Sequence, residues 1–591
     1  MTHLQPKVLV ANRGEIAVRI FRACRELGLT SVAVYTDVDQ NALHLRYADE
    51  VVPLGDRQNY LSIPAVMAAA RAAHATAVHP GYGFLAENAA FAQAVEDAGM
   101  IFIGPRPQTI ALMGDKLASR QAAQAAGLPI LPGSDRPLPP QVPLHMAAQV
   151  AYPVLVKAAA GGGGRGIRLV RSPEELEPMI AAARQEALSA FGDDTVYLES
   201  MVQQARHIEV QILGEGSGCV NVLGERECSI QRRRQKLIEE APAPGLTPAM
   251  LEQIHTAAMR LGCHLQYRGL GTVEFLLDPH GDFHFIEVNP RIQVEHPVTE
   301  MVTGVDLVQA QLLLALNLGR PPALDAFEQR GCAIEARILA EDPTQDFMPA
   351  TGEITYLKEP GGPGVRVDSA LFQGMQVTAD YDSLLAKVIA WGPDRPSAIR
   401  RLRRALGELQ IGGLPTSAGW ILQILDSPAF QEGRVTTTYL DSFQPAPAEP
   451  EPVADVRNDT VDGVPVRIYR PEGSDLPVLV YAHGGGFVFC DLDTHDGLCR
   501  ALANLVPAVV VSVDYRLAPE HRWPTAAEDV YTVARWAARD GGRVLISGDS
   551  AGGNLAAVTA LMARDRGGPD LAGQVLLYPM IAADFDTESH R

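Results

Sequence analysis

The amino-acid sequence predicts a multidomain protein of the α/β and α+β classes. Its 591 residues exceed the roughly 250–300 residues at which one hydrophobic core stops growing, so several domains are expected. Strand and helix patterns alternate near both ends of the chain, which predicts parallel sheets covered by helices. In the middle, strands with alternating apolar residues follow one another, which predicts an antiparallel sheet.

The composition fits a globular protein and narrows its partners. Apolar residues make up 47% of the chain and the formal net charge is −20, so no extended basic surface for nucleic acid is expected. Seven dispersed cysteines without a CxxC pair, and an N-terminus without a basic stretch before an apolar core, indicate a cytoplasmic protein. No apolar run is long enough to cross a membrane. Only six residues are lysines, which makes each lysine a candidate for a chemical role.

Residues 1–115 are predicted to form a first domain, a parallel sheet with helices on its faces. Its predicted strands are residues 7–11, 31–35, 77–79 and 101–103, and its predicted helices are residues 16–27, 64–73 and 88–98. A second domain, residues 116–330, begins with a helix over 116–126 and continues into the antiparallel strands. A third domain, residues 331–443, mixes short strands with a helix over 397–409.

The remaining residues are predicted to form a separate unit behind a linker. Residues 444–455 are rich in proline and glutamate, a composition that favours an extended, stiff linker. Beyond it the βαβ pattern restarts over residues 456–591, with predicted strands at 477–481, 508–512, 544–547 and 574–578.

A glycine run at residues 160–166 follows Lys157 and lies between two predicted strands. Glycines let backbone N–H groups wrap an anion, and a lysine neutralises its charge. The run alone fits a flexible hairpin tip equally well. It matches neither the P-loop nor the dinucleotide-binding fingerprint, so both of those sites are set aside.

Carboxylates embedded in two later strands predict a metal site. Glu274 lies in TVEFLL, and Glu287 and Asn289 lie in FHFIEVN. Oxygen ligands of this kind suit Mg²⁺ bound together with phosphates. The alternative is a solvated strand face, which the apolar neighbours weaken because an unpaired carboxylate among them is costly.

Three further strings complete the pattern: a glycine-rich turn at residues 79–88, a cationic stretch at residues 225–245 that contains Lys236, and RIQVEHPVTE at residues 291–300. The cationic stretch alone also fits a basic surface helix. Together with MGDK at 113–116 these strings, in this order, resemble the biotin carboxylase family of ATP-grasp enzymes over about residues 1–443. A carbamoyl-phosphate synthetase or another ATP-grasp ligase is the alternative, disfavoured by RIQVEHPVTE and EARILAEDP.

The resemblance implies a Rossmann-like N-terminal domain, an ATP-grasp domain with a mobile lid at about residues 131–203, and a biotin carboxylase C-terminal domain. It also implies ATP, Mg²⁺ or Mn²⁺, bicarbonate and biotin as cofactors or substrates. The implied nucleotide and metal ligands are Lys116, Lys157, Gly163 and Gly164 for the phosphates, Glu199, Ser200, Met201 and Val202 along adenine, His207 near the nucleotide, and Glu274, Glu287 and Asn289 for the metal.

The resemblance assigns the chemistry to a second group of residues. Lys236, Arg291 and Val294 would place bicarbonate, and Glu295 would remove its proton. Arg337 would stabilise the negative charge that develops on the biotin ureido oxygen, and Tyr82 would border the biotin pocket. No biotinylation site is visible, so biotin is expected on a separate biotin carboxyl carrier protein. The resemblance also implies a carboxyltransferase subunit, as in an acetyl-CoA carboxylase of fatty acid biosynthesis, and a second copy of the chain in a homodimer.

Two positions depart from the family pattern. Arg234 stands where the family commonly has histidine, and a guanidinium keeps its charge but cannot titrate, so nucleotide affinity is in question. Ala160 replaces a glycine at the leading edge of the lid, where a stiffer loop is expected.

The tail carries a different set of motifs. HGGGF at 483–487 and G-D-S-A-G at 548–552 each follow a predicted strand, as oxyanion and nucleophile loops do in α/β-hydrolases. With DYRLAPEHRWP they resemble the hormone-sensitive-lipase-like family over about 456–591, with Ser550 as nucleophile. The acid and histidine of that family lie far downstream, whereas here the residues after Ser550 contain a single histidine, His590. A partial α/β-hydrolase sheet without esterase activity is therefore expected.

Two other functions remain as alternatives. A carboxylic-ester hydrolase with an ATP-grasp accessory region would need a complete catalytic triad. A non-catalytic scaffold would need the site residues to be lost, and apart from Arg234 they are in place.

Overall fold

The computed structural model describes residues 6–134, 136–139, 152–159, 167–218, 220–324, 326–443, 451–539 and 541–580. It separates the chain into two compact units, Met1–Pro445 and Ala446–Arg591. The sequence-based division of the first unit at residues 115 and 330 stays a prediction. Within the described residues no single helix is long and apolar enough to span a membrane, although the bent pair His296–Thr303 and Leu307–Ala315 passes that test jointly.

The N-terminal part of the first unit is a five-stranded parallel sheet in the order β3-β2-β1-β4-β5. Its strands are β1 Lys7–Val10, β2 Thr30–Thr36, β3 Glu50–Gly55, β4 Ala77–His79 and β5 Ile101–Phe102, and its helices are α1 Gly14–Glu26, α2 Ile63–Ala72, α3 Ala89–Asp97 and α4 Pro107–Gly114. Asn88 caps α3 by accepting a hydrogen bond from the Phe91 amide, so the glycine-rich turn leads directly into that helix.

A small three-stranded antiparallel sheet follows, in the order β7-β6-β8, and one helix packs on it. These elements, with the preceding helix, are α5 Lys116–Ala125, β6 Val154–Ala158, β7 Ile167–Val170, α6 Pro173–Phe191 and β8 Val196–Ser200. The predicted glycine run, including Gly163 and Gly164, lies outside the described residues.

An eight-stranded antiparallel sheet in the order β13-β12-β9-β10-β11-β14-β21-β19 carries most of the polar residues considered below. Its strands are β9 Arg206–Glu215, β10 Val220–Arg232, β11 Gln235–Ala241, β12 Arg268–Leu277, β13 Phe283–Asn289, β14 Cys332–Leu339, β19 Val365–Ser369 and β21 Leu384–Gly392. The sheet runs across residue 330, because β11 pairs with β14. Residues that the sequence assigns to the second and the third domain therefore lie on one sheet.

Helices and short strands surround this sheet. The helices are α7 Pro248–His264, α8 His296–Thr303, α9 Leu307–Ala315, α10 Arg395–Glu408, α11 Ala418–Asp426 and α12 Pro428–Gln431. The short strands are β15 Glu341–Asp342, β16 Met348–Pro349, β17 Gly352–Glu353, β18 Tyr356–Lys358, β20 Gln376–Val377 and β22 Gln410–Gly412. Helix α10 buries Ile399, Leu402 and Leu406 in a core shared with Ile334 and Val388 of the sheet.

The second unit is a six-stranded sheet in the order β23-β24-β26-β25-β27-β28, whose last four strands are parallel. Its elements are β23 Asp455–Val461, β24 Val464–Arg470, β25 Val478–Ala482, α13 Asp496–Leu505, β26 Val509–Val513, α14 Thr525–Ala537, β27 Val544–Asp549, α15 Ala551–Asp565 and β28 Gly573–Leu577. The four predicted strands match β25, β26, β27 and β28 within about one or two residues.

The structure excludes one alternative that the sequence left open. The cationic stretch is not a surface helix: it forms β10 and β11, joined at Arg233 and Arg234, which both have positive φ. The linker over residues 444–455 stays a prediction; near its C-terminal end Glu451 accepts a hydrogen bond from Asn504 at 2.9 Å, and Asp455 begins β23. Residues 444–450 lie outside the described residues.

Candidate active site

Charged side chains form a row across four neighbouring strands of the large sheet. Glu287 on β13 faces Glu274 on β12, Glu274 faces Glu209 on β9, and Glu209 faces Arg226 on β10. Directly opposed residues on antiparallel strands point to the same face. The strand register thus brings together three carboxylates that lie far apart in the sequence.

Lys236 on β11 is the cation to which these carboxylates converge. Its Nζ lies 2.5 Å from Glu209 Oε2, 3.0 Å from Glu274 Oε1 and 2.5 Å from Glu295 Oε1. Burial lowers the pKa of Lys236, but the three carboxylates more than offset this and hold the pKa well above its usual range. Lys236 is therefore a fixed positive charge.

Glu295 lies between two cations. Its second oxygen is 3.0 Å from Nη2 of Arg337, whose Nε also donates to Glu239 at 2.5 Å. Burial raises the pKa of Glu295, while Lys236 and Arg337 lower it to well below the ordinary glutamate value. The carboxylate is ionised and can accept a proton from a bound ligand.

Glu274 and Glu287 differ in their surroundings. Glu274 Oε1 accepts hydrogen bonds from Asn289 Nδ2 at 2.8 Å and Gln293 Nε2 at 2.9 Å, and its Oε2 lies 3.0 Å from His207 Nε2. Burial raises the pKa of Glu274, but Lys236 and His207 hold it well below normal. Burial and then the charge of Glu274 raise the pKa of Glu287, and within the described residues no donor contacts the Glu287 carboxylate.

This pair fits a divalent cation. A buried carboxylate that repels its neighbour is stabilised by a positive charge, and carboxylate oxygens are the ligands that Mg²⁺ and Mn²⁺ take in proteins. Asn289 adds an amide oxygen at the end of the same strand. His207, Glu209 and Glu274 form a second group whose ligand atoms lie within 4.8 Å of one another.

The two lysines predicted to hold phosphates, Lys116 and Lys157, lie near Glu287, at the β13 end of the row. Lys157 contacts Glu199, whose other oxygen accepts from Arg120 Nη1 at 2.9 Å. Burial lowers the pKa of Lys116, and the charges of Lys157 and Arg234 lower it further. The charge of Glu287 raises this pKa and offsets part of the decrease. Within the predicted adenine segment 199–202, Glu199 and Ser200 end strand β8 and Met201 and Val202 follow it.

The loop that carries Arg291 and Val294 is anchored from two sides. Arg291 donates to Glu87 at 2.6 Å and to Asn289 Oδ1 at 2.9 Å. Lys387 on β21, fully buried, donates to the Val294 carbonyl at 2.8 Å. Lys387 also lies 3.1 Å from Glu15.

Glu15 connects this loop to a cavity of about 510 Å³. It accepts a hydrogen bond from the hydroxyl of Tyr82, and both residues line the cavity together with Arg13, Phe84 and Tyr381. Tyr82 thus borders a space large enough for a bicyclic ligand such as the biotin head group.

Several of these residues were not predicted from the sequence. They are Glu209, Arg226, Glu239, Gln293 and Lys387. A signal existed in strand β9, where His207, Glu209 and Gln211 alternate with apolar residues, as expected of a strand with one polar face. Arg226 carries no such signal. Its side chain is completely buried and donates to Gln211 at 2.7 Å and to Gln293 at 2.7 Å.

In the second unit, Ser550 lies in a strained turn between β27 and α15, with φ 52° and ψ −115°. A Cβ on Gly552 would lie 2.0 Å from the Ala482 carbonyl oxygen, so the turn requires glycine there. Within the described residues no side chain is hydrogen-bonded to the Ser550 hydroxyl. His590 lies outside them, and the expected lack of esterase activity stays a prediction.

Family models match three consecutive parts of the first unit. Residues 5–110 match "Biotin carboxylase, N-terminal domain", 115–320 match "Carbamoyl-phosphate synthase L chain, ATP binding domain", and 335–442 match "Biotin carboxylase C-terminal domain". A biotin carboxylase of Nostoc sp. is 51% identical over 441 residues, which is 74% of this chain and 99% of that protein. The chain belongs to the biotin carboxylase family. It is thereby an ATP-dependent ligase.

Two further relatives of this biotin carboxylase show the range of its family. One subunit of the pyruvate carboxylase of Methanothermobacter thermautotrophicus is 47% identical over 442 residues, 74% of this chain and 90% of that protein. The structure of the biotin carboxylase domain dimer of Hydrogenobacter thermophilus 2-oxoglutarate carboxylase, with magnesium ADP and bicarbonate, covers 74% of this chain and 98% of its own, at 44% identity and a TM-score of 0.72. The comparisons confirm the predicted fold. They also confirm the predicted cofactors and substrates, namely ATP, magnesium, biotin and bicarbonate.

The biotin carboxylase matches also decide between the alternatives. The ATP-binding match is flanked on both sides by biotin carboxylase domains, which disfavours a carbamoyl-phosphate synthetase. Residues 479–591 match an "alpha/beta hydrolase fold", as the motifs around Ser550 predict. An ester hydrolase as the principal activity is not favoured.

Proposed function

We propose that this biotin carboxylase carboxylates biotin on a separate carrier protein, as a component of an acyl-CoA carboxylase such as acetyl-CoA carboxylase. The observation that carries the proposal is the group formed by Lys236, Glu295 and Arg337, in which a buried ionised carboxylate is held between two fixed cations. Such a group can bind a small anion and remove its proton.

Bicarbonate would lie among Lys236, Arg291 and the backbone at Val294. An anion at this position competes with Glu295 for Lys236, and the weakened ion pair raises the proton affinity of the Glu295 carboxylate. Glu295 would then take the bicarbonate proton as a bicarbonate oxygen attacks the γ-phosphorus of ATP, which forms carboxyphosphate, breaks the bond to the bridging oxygen and releases ADP. The resting ion pairs thus keep the base ionised until its substrate arrives.

Lys116, Lys157 and Arg234 would neutralise the phosphates of ATP. Glu274, Glu287 and Asn289 would hold Mg²⁺ or Mn²⁺, which supplies charge neutralisation on the transferred phosphoryl group. His207 lies against Glu274, with its Nε2 3.0 Å from Glu274 Oε2, and its ring would lie beside the nucleotide. Gly163 and Gly164 are proposed to close over the phosphates and exclude water.

Transfer to biotin would use Arg337 and Tyr82. When bicarbonate has been consumed, Arg337 retains Glu239 as a partner and can turn its second amino group toward the ureido oxygen of biotin, where negative charge develops. The cavity beside Tyr82 would admit the head group. The proposed partners are a carrier protein, a carboxyltransferase subunit, and a second copy of the chain in a homodimer. The dimeric state named for the Hydrogenobacter thermophilus domain supports the homodimer.

The test is bicarbonate-dependent ATP hydrolysis with free biotin as the stimulating substrate. Wild-type protein should hydrolyse ATP in a reaction that requires bicarbonate and rises with biotin. Glu295→Gln should lower the rate about 10²–10⁴-fold, the usual contribution of a general base. Glu359→Gln, a change of an exposed glutamate, is the matched control. Wild-type protein that shows no biotin-stimulated turnover contradicts the proposal.

The acyl-CoA specificity needs a separate experiment. The biotinylated domain of an acetyl-CoA carboxylase carrier and that of a pyruvate carboxylase would be compared as substrates at equal concentration. A higher kcat/KM for the acetyl-CoA carboxylase carrier is expected, and a preference for the other carrier contradicts this part of the proposal.

A further inference from the structure

Two buried glutamates face each other beside the proposed site. Glu239 on β11 is directly opposite Glu335 on β14 in the antiparallel register. Side chains so placed share one face, with Cβ atoms about 4.5–5.5 Å apart. Both residues are fully buried, at 0% exposure.

Three of the four carboxylate oxygens of this pair lack a hydrogen-bond donor in the described part of the chain. Within the described residues, Oε2 of Glu239 and both carboxylate oxygens of Glu335 are buried without a hydrogen-bond partner. A buried carboxylate that no donor contacts is strongly destabilised in its ionised form. Two of them side by side also repel each other, as the paired carboxylates of aspartic proteases do.

The surrounding cations leave these three oxygens without a donor. Arg337 contacts Glu239 Oε1 and Glu295. Lys387, from the neighbouring strand β21, contacts the Val294 carbonyl, Glu15 and, at 3.9 Å, Asp368.

The other titratable groups on this face are also occupied. Lys236 on β11 contacts Glu209, Glu274 and Glu295. On the covering helix α8, Nδ1 of His296 lies 2.7 Å from the Gln293 carbonyl, and its Nε2 lies 4.0 Å from Glu300. Burial and then Lys387 hold the pKa of His296 well below its usual value, so this histidine brings no charge to Glu335.

We infer that Glu239 and Glu335 share one proton, with the Glu335 carboxylic acid donating to the unpaired oxygen of Glu239, and that this bond makes them positioning residues for Arg337. The proton supplies a donor to Glu239 Oε2, which lacks one, and it removes the charge of Glu335 and with it the repulsion between the two side chains. The electrostatic environment agrees: burial raises the pKa of Glu335 well above its usual value and, despite Arg337, that of Glu239 to about 7.

The shared proton sets the charge that Arg337 experiences. With one proton the pair carries a single negative charge, which balances against Glu295 on the other side of the guanidinium. Loss of the proton at high pH places two negative charges beside Arg337 and draws it away from Glu295. The effect on the pH profile rests on the proposed role of Arg337 in catalysis. The presence of the shared proton does not depend on that role.

Infrared difference spectroscopy of the full chain at pH 8 tests the proton directly. The wild-type-minus-Glu335→Gln spectrum should contain the carbonyl stretch of a protonated carboxylic acid, which shifts in D₂O. Glu359→Gln should produce no such band. Carboxylate stretches in place of the acid band overturn the proposal. Glu239→Gln serves as a second variant: it keeps an acceptor opposite Glu335 and should retain the acid band, and loss of the band there also overturns the assignment of the proton to Glu335.

The pH profile of biotin-stimulated ATP hydrolysis tests the positioning role. The glutamine of Glu335→Gln donates to Glu239 at every pH, so its alkaline loss of activity should begin about one pH unit higher than in wild type. An alkaline limb that does not move overturns the positioning role. A protein without any carboxylase activity would instead contradict the proposed function, and the infrared result would still stand by itself.

Discussion

Replacement of Lys387 by methionine removes the buried cation that joins the Val294 carbonyl to Glu15. The 2.8 Å bond to Val294 has a charged donor in a fully buried environment, and such bonds contribute about 1.5–3 kcal/mol. Breaking the 3.1 Å pair with Glu15 leaves a buried carboxylate without its cation, which typically costs about 3–5 kcal/mol of stability. Methionine fills a similar volume, so the loss of charge is the principal change.

Two measurements separate these effects. The free energy of unfolding of the first unit should fall by about 3–5 kcal/mol in Lys387→Met. Loss of the Val294 bond releases the loop proposed to place bicarbonate, so kcat/KM for bicarbonate should fall about 10- to 100-fold, since 1.4 kcal/mol corresponds to about tenfold, while KM for ATP changes little. Lys358→Met, at an exposed lysine on β18, is the control and should change neither. Unchanged unfolding and unchanged bicarbonate kinetics in Lys387→Met would refute the reasoning.

Three other changes test separate parts of the molecule. Arg234→His should make KM for ATP rise as the pH increases through about 6.5, because a histidine loses its charge there and arginine does not; a KM that is independent of pH between about 5.5 and 8 would contradict this. Glu287→Gln should raise the Mg²⁺ concentration needed for half-maximal ATP hydrolysis about tenfold or more, as a charged oxygen ligand is lost, and an unchanged Mg²⁺ requirement would exclude Glu287 as a ligand. Gly552→Ala should destabilise the second unit by several kcal/mol, since its Cβ would lie 2.0 Å from a carbonyl oxygen. Gly497→Ala, at an exposed position in the first turn of a helix where nothing lies within 4 Å, should instead change the stability by less than about 0.5 kcal/mol, and equal effects of the two alanines in thermal unfolding would contradict the close packing at Gly552.

The sequence was informative where function is concentrated in short strings. RIQVEHPVTE contains Arg291, Val294 and Glu295, and the strands around Glu274 and Glu287 show carboxylates among apolar neighbours, a pattern visible without any structure. Lysine scarcity was a further guide: of the six lysines, four lie in or beside the candidate site, namely Lys116, Lys157, Lys236 and Lys387. The role of Lys387 could not be predicted, because this residue stands in an ordinary strand with no motif around it.

The amino-acid sequence by itself determined the order of the domains and the chemical class of the enzyme, and it predicted the candidate bases and cations of the principal motifs. These properties depend on local patterns, namely strand and helix periodicity and motifs a few residues long. Only the tertiary structure decided which charged side chains lie next to one another. Glu209, Arg226, Glu239 and Glu335 become part of the site through strand register, and a register shift of one residue would turn each side chain to the opposite face. The proton inferred between Glu239 and Glu335 follows from that register and from complete burial, neither of which a linear sequence specifies.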